Sequence, residues 1–134
     1  MTSKVVYLGD LRTELIHIKS GDKVITDAPT DNQGKGEAFS PTDLLATSLA
    51  TCMITMVGIK ARELEIDIKG TEASITKVMA SSPRRVSEIH VHLKFACSVN
   101  AKTKKIFEQI ALKCPVALSL NPAIKQKVEF EYST

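Results

Sequence analysis

Apolar and polar positions alternate loosely at the start of the chain. Residues 4–9 (KVVYLG) and 13–19 (TELIHIK) are rich in β-branched side chains and predict two strands. Residues 23–26 predict a third short strand, and Ser20, Gly21 and Asp22 form a turn signal before it. The opening therefore reads as an antiparallel meander. Residues 27–39 (DAPTDNQGKGEAF) are polar and lack periodicity. A connection of that length is either a functional or mobile loop or a plain surface crossing.

The pattern then changes to a helix with a clear start. Ser40 is a good N-cap, Pro41 suits the first helical position, and Asp43 completes a capping-box-like pattern that also complements the helix dipole. The predicted helix runs over 41–63, with a bend near Gly58. Leu44, Leu45, Leu49, Met53, Ile54, Met56, Val57 and Ile59 spread over nearly every face. A helix apolar all round is expected to be enclosed by protein, here lying across a sheet as the core spine.

Residues 66–79 and 84–97 predict two long strands joined at Ser81, Ser82 and Pro83. Val86, Ile89, Val91, Leu93 and Phe95 give the second its apolar side. Asn100 can cap a second helix over 101–113, with Ile106, Phe107, Ile110, Ala111 and Cys114 on one stripe. Lys102, Lys104 and Lys105 then form a solvated face. Pro115 ends or kinks that helix, a short piece follows, and VEFEY closes as a final strand. The expected organisation is one domain over 1–134. It comprises a meander (1–26), the cysteine helix (41–63), a long hairpin (66–97), a kinked second helix (101–121) and a last strand (125–132).

Composition narrows the function classes. At 134 residues one domain is the natural expectation, with 43% hydrophobic and 25% charged residues. There is no Trp, so the core must come from aliphatic side chains and a few Phe. The net charge of +3 is carried by scattered lysines, not by the basic stripe that nucleic-acid binding requires. The N-terminus MTSKVVYLGD lacks a secretory apolar stretch. Residues 44–59 are uncharged, but this run of 16 carries Thr47, Ser48, Thr51 and Thr55, which favours a core helix over a membrane span. Three cysteines without a CxxC pair argue for a reducing cytoplasm and against structural disulfides. A transient catalytic disulfide stays open.

Candidate chemistry rests on two cysteines 62 positions apart. If Pro115 opens a helical turn, Cys114 occupies its N-cap, where backbone N–H groups favour thiolate. On this reasoning Cys114 is the lower-pKa thiol. Alternatively it packs as a hydrophobe at a helix end. Cys52 lies mid-helix and needs a cation or donors from elsewhere to be activated. Its neighbours Ser48, Thr51 and Thr55 read equally as small-residue packing. Cys97 receives no role. His90 and His92 share a strand face and read as polar surface, since two imidazoles without a third ligand do not make a zinc site. His17 has no visible partner.

Residues 34–53 (GKGEAFSPTDLLATSLATCM) and 114–120 (CPVALSL), followed by Asn121 and Pro122, resemble the two cysteine segments of the OsmC/Ohr superfamily of osmotically inducible and organic hydroperoxide resistance proteins. Order, spacing and flanking strands agree over essentially the whole chain. The SPTDLL signature is most similar to the YhfA-like branch. The resemblance implies an α+β fold, two antiparallel β-sheets around a long central helix in an intertwined homodimer, with sites at the dimer interface. It implies reduction of a small organic hydroperoxide without metal or cofactor. Cys52 would become a sulfenic acid, Cys114 would resolve it to a disulfide, and a dithiol such as a dihydrolipoyl protein would reduce that.

By the same resemblance Arg12 would pair with the reactive thiolate. In peroxidase members a glutamate orients that arginine, and here Thr42 stands in its place. Asp43 follows, but it lies nine residues before Cys52 and projects from the opposite face. Glu37 on the loop is a substitute carboxylate. Thr42 motivates an alternative of another class, a non-catalytic dimer that binds a small apolar ligand. A third reading keeps the cysteines as core filler.

Overall fold

The computed structural model describes residues 1–134 and shows two compact units, Met1–Leu45 and Ala46–Thr134. The N-terminal unit is a three-stranded antiparallel sheet in the order β1 (Ser3–Gly9), β2 (Arg12–His17), β3 (Lys23–Asp27). The β2–β3 turn closes where the sequence places it. Gly21 adopts φ +80°, where a Cβ would be strained, and its N–H reaches the His17 carbonyl at 2.8 Å. This turn sets Arg12 opposite Asp27 and Thr13 opposite Thr26.

The polar segment after β3 is tied back on itself. The N–H groups of Asn32 and Gly34 share the Pro29 carbonyl at 2.9 Å, and Gly36 N–H reaches Ala28 O at 3.1 Å. A Cβ at Gly34 would fall 1.8 Å from that carbonyl oxygen, so only glycine allows the approach. Phe39 bridges to Thr26 and accepts the Asp27 N–H at 3.0 Å.

The helix α1 (Pro41–Glu63) starts in this unit and continues into the second. Its capping box is complete. Ser40 Oγ accepts the Asp43 N–H at 3.0 Å, and Asp43 Oδ2 accepts the Ser40 N–H at 2.9 Å.

The second unit holds the apolar core. Strands β4 (Glu72–Ala80), β5 (Arg85–Phe95) and β6 (Lys125–Tyr132) form one sheet, with α2 (Ala101–Leu112) and α3 (Pro115–Ser119) between β5 and β6. Ile89, Leu93 and Phe95 from the sheet join Leu49, Met53 and Val57 from α1 and Phe107 and Ala111 from α2, all fully buried. Each large side chain so buried contributes roughly 1.5–3 kcal/mol. Phe95 is the hub, with ring centroids 5.7 Å from Phe107, 6.5 Å from Phe130 and 5.1 Å from Tyr132.

The architecture is α+β, as the resemblance implied, with four differences of detail. First, β6 runs parallel to β5, so this sheet is mixed and not purely antiparallel. The helical crossover α2–α3 carries the chain back to the start of β5, which a hairpin cannot do. Second, residues 66–71 are not strand. Asp67 Oδ1 caps the Lys69 N–H at 2.9 Å, Thr71 N–H reaches Ile68 O at 3.0 Å, and Gly70 turns at φ +92°. Third, α1 is not enclosed by its own chain. One stripe (Ala46, Leu49, Ala50, Met53, Val57, Ala61) is buried, while Leu45, Thr51, Thr55 and Ile59 are exposed. The helix is long and apolar enough to cross a membrane, but its buried stripe carries the core of this unit. Fourth, Lys104 leaves the solvated face and places its ammonium 4.9 Å from the Tyr132 ring centroid.

Candidate functional site

Pro115 opens α3, and Cys114 is its N-cap, as the sequence predicts. The Cys114 sulfur accepts the Ala117 N–H at 3.5 Å. Its side chain is fully buried and belongs to the apolar cluster built by α1, α2 and β5. The same cluster brings in Cys52, half-buried on α1 and close enough to act on the Cys114 thiol. Both thiols are free. The structure thus joins two cysteines that stand far apart in sequence.

The expected ionisation of Cys114 is corrected by its burial. Desolvation pushes the thiol above its ordinary pKa, and the adjacent Cys52 sulfur pushes the same way. The Ala117 and Val116 N–H groups favour thiolate but do not outweigh this. Burial therefore favours the protonated form of Cys114. The N-cap position was legible; the apolar cage around it was not.

Next to these thiols along the chain, Met56 lies one helical turn past Cys52, and Lys113 immediately precedes Cys114. With Ile106, Gln109 and Ile110 they line an open cleft of about 370 Å³.

Arg12 belongs to the other unit, at the start of β2. Its ion-pair partner is Asp27, with Nε and Oδ1 3.9 Å apart. The Asp27 side chain is 1% exposed and that of Arg12 36%. Asp27 Oδ2 accepts the Glu37 backbone N–H at 3.0 Å. Glu37 thus contributes its backbone here, and its side chain is exposed. Thr42 Oγ1 lies 3.2 Å from Ser40 Oγ beside the capping box. Asp27 was not singled out from sequence. The available signal was the Ser20–Gly21–Asp22 turn, whose register folds Arg12 onto it.

Cys97 follows β5, half-buried, and burial raises its pKa. His90 and His92 lie on the polar face of the second sheet, 3.4 Å from Glu88 and 3.0 Å from Glu131 respectively. Lys127 also holds Glu88, at 3.0 Å, and these contacts lower the Glu88 pKa. No group of three His, Cys, Asp or Glu side chains is placed to hold a metal ion.

With this geometry in place, the comparisons fix the class. The sequence model of the OsmC-like protein family matches residues 34–129, a span that includes both paired cysteines. The chain belongs to this family, within the OsmC/Ohr superfamily.

Among solved structures, the chain is 63% identical, with a TM-score of 0.95, to a protein of Psychrobacter arcticus 273-4 provisionally named an osmotic stress induced and detoxification response protein; the match covers 98% of this chain and 96% of that one. An organic hydroperoxide resistance protein OsmC of Legionella pneumophila is 15% identical with a TM-score of 0.76, over 98% of this chain and 97% of that one. One from Elizabethkingia anophelis is 13% identical, also at 0.76, over 99% and 97%. At these identities the last two show a shared fold. No curated protein matches the chain in sequence.

Proposed function

We propose that this chain is a thiol-dependent redox protein that reduces organic hydroperoxides, with Cys52 reacting and Cys114 resolving. The observation that carries the reading is that Cys52 and Cys114 meet at one apolar cluster, near enough for the Cys52 sulfur to act on the Cys114 thiol. Membership of the OsmC-like family and the names of its structural neighbours support the same role.

The chemistry follows from the protonation pattern. Burial favours the neutral form of Cys114 beside the Cys52 sulfur. The Cys52 thiolate attacks one peroxide oxygen, the O–O bond breaks, and the alkoxide takes a proton and leaves as an alcohol. Cys52 becomes a sulfenic acid. The Cys114 sulfur then attacks the Cys52 sulfur, and its proton departs with the hydroxide as water. An external dithiol, such as a dihydrolipoyl group, exchanges with the Cys52–Cys114 disulfide and is itself oxidised. Arg12 is the proposed cation for the Cys52 thiolate, because a guanidinium stabilises a nearby anion. A reducing cytoplasm suits a cycle that returns to free thiols.

The working unit is proposed to be a homodimer. Val5, Tyr7, Leu8 and Leu11 of the N-terminal unit, Ile59 of α1 and Leu118 of α3 are each between 47% and 73% exposed. Apolar surface of this extent is expected to be covered by a second copy. Light scattering at twice the 14.6 kDa chain mass supports this, and a mass of one chain contradicts it.

The cleft lined by Met56, Ile106 and Ile110 favours one further reading, retention of a small apolar ligand without turnover. One experiment separates the two. Wild-type protein is expected to consume cumene hydroperoxide in the presence of dihydrolipoamide, and Cys52→Ser to lose that activity. Absence of turnover in the wild type, with a ligand carried through purification, would favour the binding reading.

A further inference from the structure

The second unit carries an asymmetry of charge that the thiol chemistry does not use. Helix α2 with its cap Lys113 holds four lysines and one glutamate. That surplus equals the net charge of +3 of the whole chain, so the rest of the chain has equal numbers of acids and bases. Along the sequence the lysines look scattered, but the helix gathers them. Lys102, Lys105, Gln109 and Lys113 follow one another at steps of three, four and four, the spacing of neighbours on one helix face. All four are exposed, and none of the three lysines forms an ion pair.

The other side of α2 is committed elsewhere. Glu108, its one acid, accepts the Tyr132 hydroxyl at 3.1 Å, and Lys104 lies over the same ring. Phe107 and Ala111 belong to the core. The stripe therefore has no neutralising carboxylate on its own helix. From Lys102 to Lys113 it extends about 16 Å at the ordinary helical rise.

Beside the stripe the surface turns apolar. Gln109 and Lys113 also line the cleft of about 370 Å³, together with Met56, Ile106 and Ile110. Met56 and Ile110 pack against the same cluster that encloses Cys114 and borders Cys52. These features fit one kind of occupant. A row of cations this long is matched by the surface of an acidic protein, whereas a small molecule would fill the cleft alone. Nucleic acid would also meet the charge, but its bases need exposed aromatic side chains to stack on, and Phe107, the one aromatic of α2, is fully buried.

We propose that the Lys102, Lys105 and Lys113 face of α2 is the docking surface for an acidic carrier protein that brings the reducing dithiol, with the dithiol arm entering the adjacent cleft. The inference rests on the reading of Cys52 and Cys114 as a peroxide-reducing pair and names the partner that closes that cycle. A carrier thiolate attacks the Cys52–Cys114 disulfide, forms a mixed disulfide and releases one sulfur as thiolate, which takes a proton. The carrier's second thiolate then attacks the mixed disulfide and releases the other sulfur. The chain regains two free thiols, and the carrier leaves as its disulfide. Opposite charge speeds the encounter, and salt weakens that effect.

The test uses the whole chain oxidised with one equivalent of cumene hydroperoxide and compares two reductants. One is dihydrolipoamide, small and uncharged, and the other is a dihydrolipoyl domain of net negative charge. Lys102→Glu with Lys105→Glu is expected to slow reduction by the domain about tenfold or more at low salt and to leave reduction by dihydrolipoamide unchanged. Lys19→Glu with Lys69→Glu makes the same change of charge on exposed lysines elsewhere and is expected to leave both rates near wild type. Raising the ionic strength from about 0.02 M to about 0.3 M is expected to slow the wild-type reaction with the domain and not that of the α2 variant.

Equal domain rates in wild type and the α2 variant, equal losses with both reductants, or an equal loss in the control variant overturns the proposal. So does a single-stranded oligonucleotide that binds through Lys102 and Lys105, followed by anisotropy, where the domain does not bind. If peroxide forms no Cys52–Cys114 disulfide, the redox reading fails, and titration calorimetry of the reduced chain with the same domain judges the surface alone. Binding that the α2 variant loses upholds the docking face, and no binding overturns it.

Discussion

The two units of this chain are held together by different physics. Every fully buried hydrophobic side chain lies between Ala46 and Ala117, in the C-terminal unit. The three buried polar residues, Thr26, Asp27 and Ser40, all lie in the N-terminal unit. There the sheet is organised by hydrogen bonds. Thr13 and Thr26 pair across the strands, Asp27 holds Glu37 and faces Arg12, and Ser40 closes the capping box. Hydrogen bonds specify geometry but add only about 1 kcal/mol each. The contrast teaches that one unit is stabilised by apolar burial, which also encloses Cys114, while the other is organised by polar contacts between its strands and loop.

The largest break in this comparison is at the apolar hub. Phe95 packs with three aromatic rings at 0% exposure. Phe95→Ala is expected to destabilise the chain by about 3–5 kcal/mol in denaturant unfolding, a cost without counterpart in the N-terminal unit. A loss below about 1 kcal/mol would mean that the aromatic cluster does not anchor the fold.

A smaller effect sharpens the account of the cage. The folded-state pKa of Cys114 is raised, so the folded chain binds that proton more tightly than the unfolded chain. The stabilisation is therefore full below the ordinary thiol range and lost as pH rises through it, above roughly pH 8.5. Cys97 and Tyr132 add to the same trend, since burial also raises both. Stability is expected to decline on the alkaline side, with a shallower decline in Cys114→Ala. Equal slopes for the two proteins would contradict a dry environment for this thiol.

Sequence legibility followed the range of the forces involved. The start of α1 was readable because Ser40, Pro41 and Asp43 act within one turn. The Asn100 cap was readable for the same reason, and its side chain accepts the Thr103 N–H at 2.9 Å. The stretch 66–71 looked like strand because IDIK alternates, but its neighbours Gly70 and Thr71 favour a turn. The direction of β6 depends on the crossover before it, which periodicity does not encode. For Cys114 the cap was local and visible, whereas the desolvation that decides its protonation comes from α1, α2 and β5. Arg12 was noticed through resemblance, and its partner Asp27 emerged only from strand register. The α1 faces left open by their own chain show the same limit: an all-round apolar helix announces burial, not what covers it.

The central claim is that Cys52 and Cys114 form one redox unit, and peptide mapping after a single equivalent of cumene hydroperoxide tests it most directly. The account predicts a Cys52–Cys114 disulfide with Cys97 still alkylatable, and a trapped Cys52 sulfenic acid in Cys114→Ser. Recovery of Cys52 and Cys114 as free thiols, or a disulfide that joins Cys97 instead, would contradict it.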